Sequence, residues 1–158
     1  MRRRLGVLVL GGAMLFGATS CGGGTKLAEV GPKFQQDAQT VLTKVSAARG
    51  LAGSKPTVKQ DAGTDVPCGD GKAKRVFEAS LPLRTSAKID DTFDGTVDTV
   101  LANVSGYTVK TQPSSDDPVR REMTLRADQS PATLTAVLTA TPVPTLTLGG
   151  ETDCLSAG

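Results

Sequence analysis

The 158-residue chain contains no histidine and no tryptophan, a single tyrosine, and only 3% aromatic residues in all. Each absence removes a class of chemistry. Without histidine there is no Ser-His-Asp or Cys-His nucleophile pair, no His-ligated zinc, and no side chain that ordinarily titrates near neutrality to act as general base. The histidine-free alternatives are missing too. The folded part carries no S-x-x-K and no G-x-S-x-G, and its paired carboxylates, such as Asp90 and Asp91, are adjacent residues in turn-like or cap-like settings. The expectation is a protein that is not an enzyme, takes no cofactor and holds no metal. One domain of this length with so few aromatic rings also gains from a covalent staple.

Cysteine is scarce, at three residues, and the spacing is uneven. Cys21 lies at the edge of the N-terminal segment, whereas Cys68 and Cys154 lie far along the chain. Arg2, Arg3 and Arg4 are followed by an uncharged run from Leu5 to Ala18 and then by Thr19, Ser20 and Cys21. This is the layout of a secretory signal peptide, predicted over residues 1–20. The apolar run is too short for a comfortable membrane-spanning helix, and Gly6, Gly11, Gly12 and Gly17 weaken it further. Ala18, Thr19 and Ser20 before Cys21 resemble a bacterial lipobox, with Ala18 where Leu is usual. The resemblance implies that the Cys21 thiol receives a diacylglyceryl group and becomes the mature N-terminus. Cys68 and Cys154 then remain as an even pair, which predicts one disulfide in an oxidising compartment. Gly22, Gly23 and Gly24 begin a flexible stretch, and residues 21–31 are read as lipidated cysteine and tether.

Cleavage changes the charge. The 18 basic residues less Arg2, Arg3 and Arg4 leave 15 against 16 acidic, a net charge near −1, which removes the main argument for a nucleic-acid partner.

The remainder, residues 32–158, reads as one α+β domain. Phe34, Ala38, Val41, Val45 and Ala48, with Leu42, recur at helical spacing between Pro32 and Arg49, with Pro32 suited to the first position and Gly50 to the end. Phe93, Val97, Val100, Leu101 and Val104 predict a second helix over 92–105, capped by Asp90 or Asp91 and ended by Gly106. Elsewhere the period is two: residues 75–83, 107–112, 119–128, 133–141 and 145–148 predict strands, with a further one over 56–60. The expected arrangement is two helices packed on one face of a mainly antiparallel, Thr-rich sheet, its other face solvated.

Three sequence clusters invite functional readings. Asp90, Asp91, Asp94 and Asp98 form an acidic group, but Thr92 and Leu101 stand where an EF-hand needs ligands, and a helix N-terminus attracts acids anyway. Cys68-Gly69-Asp70-Gly71-Lys72 lacks the glycine spacing of a phosphate loop and reads as a turn beside a disulfide. Lys72, Lys74, Arg75, Arg84 and Lys88 are locally basic and could face anionic headgroups.

Lipobox, glycine tether, one cysteine in a turn before a strand and one near the C-terminus together resemble the small lipoproteins of actinobacteria. The single Ile89 and single Asn103 beside abundant Ala, Thr, Gly and Val resemble that group's high-GC usage. Such proteins largely lack assigned functions, so the resemblance implies a place, lipid-anchored on the outer face of the cytoplasmic membrane, rather than an activity. The expected role is a binding or interaction module toward an envelope protein, glycan or lipid. The alternative is a carrier holding an apolar ligand or lipid between helices and sheet, which requires a cavity of several hundred Å³, about the size of a small-molecule site.

Overall fold

Leu27, Val30, Phe34, Ala38, Val41 and Val45, spaced by threes and fours, wind the first helix and are all buried. In the computed structural model, which describes residues 24–48, 55–84, 89–111 and 119–157, this helix is α1 (Leu27–Ala47). It begins earlier than predicted, because Leu27 and Val30 extend the apolar stripe N-terminally. Pro32 therefore sits inside the helix rather than at its first position. Its missing N–H leaves the Ala28 carbonyl without a helical donor, and both residues are exposed, so water can serve that carbonyl. Residues 27–31, expected above to belong to the tether, are therefore helical. Gly50 lies outside the described residues.

The remaining elements are β1 (Thr57–Gly69), β2 (Lys72–Pro82), α2 (Ile89–Asn103), β3 (Tyr107–Thr111), β4 (Arg120–Ala127), β5 (Ala132–Thr139), β6 (Thr145–Thr152) and β7 (Leu155–Ser156). The strands form one antiparallel sheet in the order β1-β2-β6-β5-β4-β3, with β7 added beside the start of β2. The fold is α+β. Both helices lie on one face of the sheet, α1 toward β1, β2 and β6 and α2 toward β4 and β5.

The core forms where that face meets the helices. Phe77, Ala79 and Leu81 of β2, Leu146 and Leu148 of β6, Leu134, Ala136 and Leu138 of β5, and Met123 and Leu125 of β4 alternate inward and are nearly inaccessible, closing on Phe34, Phe93 and Val100. Leu101 departs from the predicted apolar face and is exposed.

β1 and β6 run well past their predicted ends. β1 continues to Gly69 although only Ala62 of its 13 residues is buried, so no hydrophobic alternation betrays it. β6 passes through Gly149 and Gly150 to Thr152, because its period of two persists: Leu146, Leu148, position 150 and Thr152 all face inward.

Connectivity divides the molecule into two ends. At one end lie the β1–β2 turn at 69–71, the β4–β5 turn at 128–131, the α2–β3 turn at 105–106, and residues 153–156. Lys26, just before α1, joins this end through a parallel bridge to Ser156. The opposite end holds Leu83, the β5–β6 loop with Pro144, and Val119, tied by Leu83 N–H to Pro144 O (2.7 Å) and Ala140 N–H to Val119 O (2.8 Å).

Candidate functional site

The disulfide is the site residue pair that the structure brings together. Cys68 near the end of β1 is bonded to Cys154 between β6 and β7, with a Cα–Cα distance of 6.1 Å. The bond reaches across β2 and fastens an edge strand to the sheet's interior. Beside it the chain reverses through Gly69, Asp70 and Gly71, all with positive φ (95°, 51° and 69°), a left-handed run that glycine at two of three positions makes inexpensive. The segment that superficially matched a phosphate loop is this hairpin turn. Cys21 lies outside the described residues.

The basic cluster disperses. Lys74 pairs with Glu151 (2.6 Å) on the open sheet face, Arg84 lies at the opposite end, and Lys88 is outside the described residues. Arg75 turns inward. Its stem packs against Gly31 of α1, its Nη1 donates to the Ala62 carbonyl (2.8 Å), and its Nε donates to Asp65. Its own N–H donates to the Thr152 hydroxyl (3.0 Å). Arg75 thus holds the irregular middle of β1, where Ala62 adopts a left-handed φ of 61°, against the helix.

Asp94 and Asp98 are exposed, and the side chains of Asp90 and Asp91 lie outside the described ones. Among the described residues no three Asp, Glu or Cys side chains gather to hold a metal ion.

The open face of the sheet carries Thr133, Thr135 and Thr139 of β5, Thr145 and Thr147 of β6, and Thr124 of β4, as the alternation predicted. Several of its charges are paired: Arg126 forks onto both carboxylate oxygens of Asp153 (2.8 and 2.6 Å), and Lys59 meets Glu78 (2.6 Å). The Arg126 hydrogen bonds hold the Asp153 carboxyl below the usual carboxylate range. With no side chain at Gly149, a hollow of about 430 Å³ opens among Val76, Glu78, Thr133, Thr135 and Glu151.

A second groove, of about 410 Å³, opens at the Lys26 end among Lys33, Ser105, Gly106, Tyr107, Gln129 and Ser130. The half-buried Tyr107 hydroxyl donates to Asp37 (3.3 Å), which is also paired with Lys33 (2.7 Å). Sequence reasoning gave no sign of this trio, because Tyr107 and Asp37 are 70 positions apart.

Burial, and then the Asp37 charge, push the Tyr107 hydroxyl well above its ordinary 10.0. Since this is the only tyrosine, tyrosinate absorbance reports it alone. The folded protein is expected to show no tyrosinate as pH rises past 10.0, with the signal appearing only on unfolding. The folded state retains a proton that the unfolded chain releases, so stability falls as pH climbs beyond that value. Asp37→Asn should bring the folded titration downward. An ordinary Tyr107 titration in the folded wild type would contradict the assignment.

Between helices and sheet, the enclosed space bounded by Ala38, Val41, Phe77, Val100, Leu125 and Leu148 is about 10 Å³. That is near the size needed for one water. A carrier of apolar ligands would have to part the helices from the sheet.

No family model matches the chain, and no curated protein matches it. A solved structure to which it is similar is that of the putative lipoprotein LppA from Mycobacterium tuberculosis, at 14% identity over 83% of this chain and 78% of that one, with a TM-score of 0.47. A likeness of this degree carries no inference about function.

Proposed function

We propose that the protein is an extracytoplasmic lipoprotein, anchored by acyl chains on Cys21 to the outer face of the cytoplasmic membrane, whose domain is a non-enzymatic interaction module of the cell envelope. The observation that supports it best is the cysteine accounting. The Cys68–Cys154 bond uses two of the three cysteines, and the third is Cys21, directly after Ala18, Thr19 and Ser20 behind an Arg-led apolar segment. A disulfide suits an oxidising compartment, and a chain bound for that compartment carries the export segment seen here. Two or more acyl chains give the stable attachment that one does not.

The test is metabolic labelling with a clickable fatty acid in an actinobacterial host. The wild type is expected to incorporate label and fractionate with membranes. Cys21→Ser should lose the label completely and either accumulate as a slower-migrating precursor or pass into the medium. A Cys21→Ser variant that still carries label and fractionates like the wild type would refute the anchor.

A further inference from the structure

We infer that the end of the domain bearing the turns at 69–71, 105–106 and 128–131 rests against the headgroup layer of the bilayer, with the Val143 end pointing away; this rests on the anchor proposed at Cys21. The inference comes from where the chain enters the domain. Lys26 is fixed to Ser156 by a backbone bridge, and Ser156 is itself paired with Lys72 at the start of β2. The chain therefore enters the domain at a defined corner. Four residues lie between that corner and Cys21, and the five Cα-to-Cα steps they make span at most about 18 Å when fully extended. The anchoring thiol thus cannot be farther than that from Lys26.

The fold then decides what else is close. The same end carries Gly106 and Tyr107 (paired with Ala127), the β4–β5 turn with Gln129, and the start of β5 (Ala132, paired with Thr152). The opposite end is one strand length away: the eight residues of β5 rise about 27 Å at strand geometry. A domain leashed at one end by a span shorter than its own length cannot stand on its far end, so of the two upright orientations only the one with the leashed end down is open to it. The groove beside Lys33, Tyr107 and Gln129 lies at that membrane-facing end.

Charge does not create this contact. Lys26 and Lys72 are accompanied by Glu29 and Asp70, all exposed, while Lys74 is paired with Glu151 and Arg126 with Asp153. With the signs balanced, the arrangement is set by tether length, and it should not respond to salt or to the fraction of anionic lipid.

The experiment uses the full lipidated protein in phosphatidylcholine–phosphatidylglycerol vesicles that contain a lipid with a nitroxide headgroup. A fluorophore is attached at Gln129→Cys or at Val143→Cys; both positions are exposed. Quenching is expected to be several-fold stronger at position 129 than at 143, unchanged by salt, and equalised when a long Gly-Ser spacer is inserted after Gly24. Equal or reversed quenching in protein that carries acyl label overturns the orientation and leaves the anchor standing. Absence of acyl label overturns the anchor, and the orientation with it.

Discussion

Replacing Cys68 and Cys154 together by alanine is expected to cost about 4 kcal/mol of folding stability, out of roughly 5 to 15 kcal/mol for a domain of this kind. The bond spans 86 positions and encloses β2, α2 and β3 to β6, so its removal releases nearly the whole sheet from a closed loop in the unfolded chain. Chain entropy alone gives about 4 to 5 kcal/mol for a loop of that length. The native side adds to the loss, because Cys68 ties down a strand with a single buried residue, Ala62. Thermal melts of the wild type, with and without reductant, and of the double variant should show a fall of about 10 to 20 °C. An unchanged midpoint would show the bond to be structurally idle.

Gly150→Ala is expected to be the most damaging single-methyl change in the sheet. A Cβ there would lie 2.6 Å from the Thr133 carbonyl oxygen and 2.8 Å from Leu134 Cδ2, with Phe34 Cε2 at 3.2 Å. The nearest obstacle is backbone in the neighbouring strand, so no rotamer change relieves it. Either β5 and β6 part locally or α1 lifts with Phe34, at a cost of about 3 kcal/mol. Gly149→Ala is the control. Its Cβ would meet nothing nearer than the Phe77 carbonyl at 4.0 Å, so it should be neutral or gain about 0.5 kcal/mol by stiffening the unfolded chain. Urea midpoints of the two variants should differ clearly, and equal midpoints would contradict the packing described.

The contrast between these adjacent glycines explains why the sequence was legible in some places and silent in others. Where hydrophobic alternation carried the information, as in Leu134, Ala136 and Leu138, strand and facing could be read directly. At Gly149-Gly150 the same alternation continued without side chains to display it, and the pair looked like a stop. β1 was hidden for a different reason. Its register shifts between Val58 and Gln60, Asp61 and Asp65, and Pro67 and Gly69, so no period of two survives. Pro32 misled because its preference for a first turn was read ahead of the apolar residues at 27 and 30 that fix where α1 begins. The disulfide could be inferred from counting, whereas the roles of Arg75 and Tyr107 depend on partners that only the folded chain brings near.

The irregularity of β1 has a bearing on life in a crowd. Lipoproteins sharing a membrane and an orientation would meet edge to edge, and an outer strand with a continuous row of free N–H and C=O groups would invite neighbouring copies to pair into growing ribbons. Here the outer strand is interrupted three times, carries Lys59, Asp61, Asp65 and Pro67, and has its kink at Ala62 pinned by Arg75. The other border of the sheet, β3, is five residues long among the described residues. Among the described residues neither edge offers a long regular template, so copies anchored as proposed would find little there to pair with edge to edge.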